Sequence, residues 1–95
     1  ANVALKNGIA LFVTEYGTCE ASGDGVIDYD ETLAWWKFCD DNLISYCNWA
    51  IYDKKESAAA LKPGDNAFGG WKISDLTPSG KLVRSKLRGE KIIKP

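Results

Sequence analysis

The sequence predicts an α/β fold built on a parallel sheet. Its predicted elements alternate in the order helix, strand, helix, strand, long loop, helix, which is typical of parallel strands joined by right-handed crossovers. The run Ile9–Val13 is almost wholly apolar, as expected for a parallel strand that is buried on both faces. Two strands are too few for a stable parallel sheet, so we expect this chain to be a piece of something larger.

The composition excludes several classes of function. The 95 residues include 12 basic and 13 acidic side chains, and the net charge of −1 offers no electrostatic footprint for nucleic acid or an anionic membrane. No apolar run approaches the ~20 residues that span a bilayer. Residues 1–4 do not resemble the start of a signal peptide, although a mature or excised chain would look the same. Neither nucleic acid nor a membrane is therefore expected as a partner.

Cysteine and histidine usage argues against a metal site. The chain has no histidine and no Cys-x-x-Cys pair, so we predict no bound metal. We predict no cofactor either. The cysteines are Cys19, Cys39 and Cys47, an odd number that fits a disulfide framework poorly. We expect mostly buried thiols, and a bridge between two of them remains an alternative.

The first strand is predicted over Ile9–Glu15, after the tail of a helix at residues 2–7 that ends at Gly8. Glu15 stands where the strand stops. An ionisable group there is well placed for chemistry, because the strand C-termini form the active face of α/β barrels. The alternative is a glutamate that simply ends a strand at the surface. Side-chain alternation assigns the two faces as Ile9, Leu11, Val13 and Glu15 against Ala10, Phe12 and Thr14.

A helix is predicted from about Tyr29 to Asn42. Asp28 is its expected N-cap, and Glu31 stands three residues later in capping-box register. The expected apolar stripe consists of Trp35, Trp36, Cys39 and Leu43.

The second strand is predicted over Ile44–Trp49, with Ser45, Cys47 and Trp49 on one side. The long loop that follows, residues 53–76, exceeds the ~12–15 residues of a plain connection and is expected to be functional or disordered. A helical turn is predicted within it at Ser57–Leu61.

Thr77 and Pro78 predict the start of a last helix, as N-cap and first helical residue. Its expected apolar side is Leu82, Val83 and Leu87, and Gly89 is expected to end it. Residues 90–95 form a basic tail that we predict to be mobile.

Several motifs together resemble one enzyme family. The first is Phe12-Val13-Thr14-Glu15-Tyr16-Gly17-Thr18, and the others are Asn48–Ser57, Ala59–Gly64, Gly69–Trp71 and Leu76–Gly80. In order and spacing they resemble glycoside hydrolase family 5, in particular its bacterial endo-β-1,4-glucanases. The resemblance implies an α/β fold of the (β/α)8 barrel type, of which residues 1–95 would be the C-terminal part of one catalytic domain, with its last two strand-helix units.

The resemblance also implies a catalytic role for Glu15. Family members hydrolyse the glycosidic bond with retention, using two carboxyl groups ~5–5.5 Å apart. Glu15 matches the nucleophile, which must be ionised with the help of hydrogen bonds or nearby cations. Tyr16 departs mildly from the family pattern, where Trp is frequent. No Asn-Glu-Pro-like motif is present, so the general acid is missing and the chain on its own is expected to be inactive.

Four further residues match substrate-binding positions of the family. Trp49 matches a stacking platform for the sugar beside the scissile bond, with a core tryptophan as the alternative. Lys54 and Glu56 match positions that hydrogen-bond sugar hydroxyls further toward the non-reducing end, and a solvated charge run is the alternative. Ala21 matches a small residue that lets the sugar approach the backbone.

The implied partners are a β-glucan polysaccharide and either the N-terminal part of the barrel or a second copy of this chain. Cellulose-type substrates fit best, although mixed-linkage glucan, xyloglucan and mannan stay open. The family and its polymeric substrate imply a secreted, extracellular location. The alternative function is a non-catalytic module, a self-associating half-barrel that at most binds glucan.

Overall fold

The computed structural model describes residues 1–95, and its elements follow the predicted α/β order. They are helix α1 (Asn2–Lys6), strand β1 (Phe12–Tyr16), helix α2 (Tyr29–Asp41), strand β2 (Ser45–Asn48), a 3₁₀ helix (Ile73–Asp75) and helix α3 (Pro78–Leu87). The two strands form one parallel sheet, as predicted. No helix is both long enough and apolar enough to cross a membrane.

Both strands are shorter than predicted, and the first strand also ends one residue later. The strand expected over Ile9–Glu15 is Phe12–Tyr16, and the one expected over Ile44–Trp49 is Ser45–Asn48. The pairing of the two strands explains the limits, because β1 begins where Phe12 first pairs with β2.

Strand β1 contains an irregularity near its end. Val13 pairs with Tyr46 and Tyr16 pairs with Asn48, so three steps along β1 correspond to two steps along β2. A bulge of this kind changes the direction of the side chains that follow it. Val13 and Tyr16 both line a cavity of about 400 Å³ beside α2, and Glu15 does not. The predicted common face of Val13 and Glu15 is therefore wrong.

Local sequence signals begin both longer helices. The Asp28 carboxylate accepts a hydrogen bond from Glu31 N at 3.0 Å, and Thr77 Oγ1 accepts one from Gly80 N at 3.1 Å. Both predicted N-caps are confirmed. The Glu31 side chain accepts from Trp35 Nε1 at 3.0 Å, so the predicted capping box is only half formed.

The predicted apolar stripe of α2 holds at two of its four positions. Trp36 and Cys39 are buried, whereas Trp35 is exposed. Leu43 is 93% exposed, because it lies past the end of the helix with a φ of 55°.

The core cluster joins the sheet to α2 and α3. Trp36 packs with Leu82 and Val83, and its Nε1 donates to Tyr16 Oη at 2.9 Å. Burial raises the pKa of the Tyr16 hydroxyl. The predicted apolar side of α3 is confirmed at Leu82 and Val83 and is wrong at Leu87, which is exposed in the last turn.

The long loop after β2 has more regular structure than predicted. A 3₁₀ helix covers Ile73–Asp75, and Leu61 forms an isolated antiparallel bridge with Leu76. Both leucines are buried, so their packing holds the ends of this loop together. The helical turn predicted for Ser57–Leu61 is only one hydrogen-bonded turn.

All three thiols are free in this structure. Cys39 is buried, and burial raises its pKa. The expectation of buried thiols is wrong for Cys47, which is exposed. Cys47 is exposed because nothing in this chain packs on the sheet face that points away from α2. The exposed residues of that face are Phe12, Thr14, Ser45 and Cys47.

The C-terminal segment, residues 90–95, contacts the rest of the chain through several of its residues, including Ile92 and Lys94. Ile92 packs against the core cluster, and Lys94 Nζ lies 2.6 Å from a carboxylate oxygen of Asp30. The mobility of residues 90–95 stays a prediction.

Candidate functional site

The candidate site lies where the two parallel strands end. Glu15 is the last residue but one of β1, and its side chain is exposed. It forms no hydrogen bond or ion pair within the chain, so the donors or cations expected around it are not supplied by these residues. Trp49 follows β2 directly, and its N–H donates to Tyr16 O at 2.8 Å. Glu15 and Trp49 therefore lie at the carboxyl ends of neighbouring strands.

Trp49 presents a large part of its indole to solvent. It is 49% exposed, so within this chain it is not a core residue. Its ring meets that of Tyr52 at an interplanar angle of 66°, with 6.2 Å between the centroids. The peptide bond between Trp49 and Ala50 is cis.

Glu56 is the most sheltered of the predicted binding residues. Its side chain is only 16% exposed, and it accepts a hydrogen bond from the Tyr52 hydroxyl. That hydrogen bond, together with burial, raises the pKa of Tyr52. Lys54 Nζ lies 3.4 Å from Glu56 Oε2 and is largely exposed. Lys54 and Glu56 thus form an ion pair, and Tyr52 hydrogen-bonds the same carboxylate. The segment is therefore not a run of uniformly solvated charges.

Ala21 lies exposed in the loop between β1 and α2, called here the first loop (residues 17–28). This loop reaches Glu56: a Cβ added at Gly23 would lie 3.3 Å from Glu56 Oε1. Gly23 also has a φ of 87°, which an L side chain adopts only with strain. The fold thus brings the segment around Ala21 next to the predicted Lys54–Glu56 pair.

One carboxylate that was not singled out from the sequence ties these two regions together. Asp24 Oδ1 accepts hydrogen bonds from Ser57 N at 3.0 Å and from Ser57 Oγ at 2.9 Å. These hydrogen bonds lower the pKa of Asp24. A backbone bond from Ala58 N to Gly23 O, at 2.9 Å, runs beside them. The aspartate in Ser-Gly-Asp-Gly was the only available signal, and its partner lies 33 positions away.

A second contact missed by the sequence analysis anchors the start of the first loop to α3. Thr18 Oγ1 and Ser79 Oγ lie 2.7 Å apart, and both residues are buried. Buried hydroxyls are costly without a partner, so each satisfies the other. The strand end that carries Glu15 is thereby held against the N-terminus of α3.

The site combines an exposed carboxylate, a half-exposed indole and a sheltered Glu–Lys pair. A carboxylate can act as a nucleophile, and the face of an indole suits the apolar C–H face of a sugar ring. No group of three or more acidic, cysteine or histidine side chains that could hold a metal ion is present.

Comparison with known proteins identifies the family. A sequence model described as "Cellulase (glycosyl hydrolase family 5)" matches residues 1–55. The chain belongs to glycosyl hydrolase family 5. The predicted family resemblance is therefore confirmed.

Relatives within glycosyl hydrolase family 5 cover nearly the whole chain. Endoglucanase A of Evansella cellulosilytica is 47% identical over 97% of this chain, which spans 19% of that relative. The solved structure of a family 5 cellulase from an Icelandic hot spring isolate matches 97% of the chain with a TM-score of 0.92 and 38% identity. An endoglucanase catalytic domain from Thermobifida fusca, solved in complex with cellotetraose, matches 90% with a TM-score of 0.81 and 33% identity.

This family 5 chain is similar to only part of each relative. It spans about one fifth of endoglucanase A and 29–30% of the two solved structures. The α/β fold described above is thus a fragment of the family's barrel.

Proposed function

We propose that this chain is the C-terminal part of a retaining endo-β-1,4-glucanase and contributes the last two strand-helix units of its barrel. In this assignment β1–α2 and β2–α3 are the two units. The observation that carries the proposal is the placement of Glu15 and Trp49 at the carboxyl ends of neighbouring parallel strands, where barrel enzymes build their active sites. The names of the similar proteins, endoglucanase and cellulase, support the same activity.

Glu15 is the proposed nucleophile. Its carboxylate attacks the anomeric carbon and forms a covalent glycosyl-enzyme intermediate as the leaving oxygen departs. A second carboxyl group protonates that oxygen and then activates the water that releases the sugar. We expect the two groups ~5–5.5 Å apart in the complete barrel.

The second carboxyl group is proposed to come from the N-terminal part of the barrel. Within this chain Glu31 accepts from Trp35, Glu56 accepts from Tyr52, and Glu90 pairs with Arg88. Glu20 lies in the first loop beside Gly25, and none of these four glutamates lies at the end of β1 or β2.

The proposed substrate is a β-1,4-glucan of the cellulose type, bound along the strand ends. Trp49 stacks on the sugar beside the scissile bond, while Lys54 and Glu56 hydrogen-bond hydroxyls of sugars further toward the non-reducing end. Ala21 leaves room for the sugar at the first loop. The complex of the Thermobifida fusca enzyme with cellotetraose supports this class of substrate. A polymeric substrate also supports the proposal of a secreted protein.

The test uses a chimera in which this chain replaces the matching segment of Evansella cellulosilytica endoglucanase A. We expect the chimera to hydrolyse a soluble β-1,4-glucan. Glu15→Gln should lower kcat by at least about 10³-fold, because the amide is not a competent nucleophile. Circular dichroism should show the same fold in both proteins.

Glu31→Gln is the matched control. Its amide oxygen can still accept from Trp35, so kcat should stay within about twofold of the parent chimera. A folded Glu15→Gln chimera that hydrolyses glucan at the parent rate would show that Glu15 is not the nucleophile.

A further inference from the structure

A hydrogen-bonded contact joins the first loop to the segment that follows β2. Asp24 Oδ1 receives both the backbone N–H and the hydroxyl of Ser57. The same hydroxyl lies 2.6 Å from Gly25 O, so Ser57 contacts the first loop at two positions. We call Asp24 and Ser57 the loop clamp.

The loop clamp lies directly beside Glu56. Ser57 is the next residue along the chain, and a Cβ added at Gly23, which is adjacent to Asp24, would lie 3.3 Å from Glu56 Oε1. Glu56 also accepts from Tyr52, so its carboxylate is held between that hydroxyl and the first loop. Lys54 is linked to the same carboxylate. The position of the Glu–Lys pair thus depends on how the two loops are held together.

The opposite end of this segment is fixed independently. Trp49 N donates to Tyr16 O at the end of β1, and the hydrogen bonds of Asp24 join it to Ser22 and Ser57, not to Trp49 or Glu15. Loss of the clamp should therefore move Glu56 and Lys54 while the strand ends keep their places.

We propose that Asp24 is a positioning residue that sets affinity for the sugars distant from the scissile bond. It acts by holding Ser57, and through it Glu56 and Lys54, against the first loop. This inference rests on the proposed function of Glu56 and Lys54 as sugar-binding residues. It predicts a defect that depends on the length of the substrate.

The experiment compares two substrates in the chimera, the 4-nitrophenyl β-glycosides of cellobiose and of cellotetraose. Asp24→Ala removes the acceptor of the Ser57 N–H and one of the two acceptors within reach of the Ser57 hydroxyl, the other being Gly25 O. KM for the longer glycoside should rise about fivefold, which is the effect of one or two partly exposed hydrogen bonds. For the shorter glycoside KM should change by less than about twofold, and kcat should be unchanged for both.

Three further variants separate positioning from general stability. Asp24→Asn keeps an oxygen acceptor and should restore KM for the longer substrate. Ser57→Ala removes the hydroxyl but keeps the N–H, so its effect should be intermediate. Asp41→Ala is the control, since Asp41 is exposed on α2 and its ion pair is with Lys37 of the same helix.

The outcomes decide the inference either way. The inference is overturned if Asp24→Ala leaves KM for the longer glycoside unchanged. It is also overturned if the variant loses kcat equally with both substrates and has a lower Tm. In either case the clamp would be a purely structural contact. If Asp24→Ala does not fold, the same comparison in Ser57→Ala decides. Failure of the proposed function is seen separately, as full hydrolysis by Glu15→Gln.

Discussion

The position of Glu15 depends on a backbone irregularity as well as on its place in the sequence. The bulge before Tyr16 lets Tyr16 face α2, where its hydroxyl accepts from Trp36. Glu15 does not line the cavity on that side. Bulges often redirect side chains next to active sites, and this one leaves an exposed carboxylate beside a well-packed tyrosine.

At the scale of single residues, Trp49 allows a prediction. In the chimera, Trp49→Ala should lower kcat/KM on soluble β-1,4-glucan by about tenfold or more. The substitution removes the stacking of the indole on the sugar and the apolar area that the bound sugar would cover. Trp49→Phe should lose less, since a smaller aromatic face remains. Initial rates over a range of glucan concentrations measure both variants.

Trp35→Phe provides the control for this prediction. Trp35 is also exposed, but it lies on α2 and hydrogen-bonds Glu31. An equal loss of kcat/KM in Trp35→Phe and Trp49→Ala would mean that the effect is not sugar stacking.

At the scale of elements, helix α3 packs closely against the loop after β2. Thr77 N donates to Ala60 O at 3.0 Å, and Thr77 Oγ1 donates to Ala59 O while it caps the helix. Gly80 lies so close to this loop that a Cβ there would overlap the carbonyl of Ala60. The absence of a side chain at Gly80 is therefore a packing requirement inside a helix, where glycine otherwise costs stability.

Gly80→Ala is expected to destabilise the chimera despite the better helix propensity of alanine. The added methyl group forces backbone to move and should lower the free energy of unfolding by about 1–3 kcal/mol. Urea unfolding followed by fluorescence measures the change.

Lys81→Ala is the control in the same helix. Lys81 is exposed and forms no ion pair in this structure, so its replacement should stay within about 0.5 kcal/mol of the parent. A Gly80→Ala chimera that is as stable as this control would contradict the close approach of α3 to the loop.

At the scale of the whole molecule, the chain has a small core and an uncovered sheet face. Only 13 of 95 residues are buried, and Phe12 on the uncovered face is 59% exposed. The radius of gyration of 14.3 Å exceeds the about 12 Å expected for a compact domain of this length. An exposed apolar surface of this kind favours association.

This surface predicts the behaviour of the isolated 95-residue chain. We expect it to self-associate in sedimentation experiments and to show no hydrolysis of soluble β-1,4-glucan, because the second carboxyl group is not supplied. Co-expression with the N-terminal part of the endoglucanase A barrel should give a soluble complex with activity.

Two results would change this interpretation. Turnover by the isolated chain would show that a glutamate of this chain or of a neighbouring copy acts as the acid, and Glu56 would be examined first. A compact oligomer that binds glucan without hydrolysis would instead favour the alternative of a self-associating half-barrel module.

Local signals predicted most of the elements and the main candidate residues. Asp28 and Thr77 act as caps through hydrogen bonds within three residues, so their role can be read from neighbouring positions. Glu15 and Trp49 could be placed at strand ends because each follows a short apolar or alternating run. Periodicity failed at Leu43 and Leu87, since it does not report where a helix stops or which layer covers its last turn.

Contacts between distant segments were decided only by the tertiary structure. The bulge at Glu15 depends on pairing with β2, the loop clamp joins Asp24 to Ser57, and the buried hydroxyl pair joins Thr18 to Ser79. Each of these contacts forms between residues more than 30 positions apart, and no local propensity encodes such a partner. The amino-acid sequence thus specifies the elements and the chemistry of the strand ends, whereas chain packing specifies which side chains hold that chemistry in place.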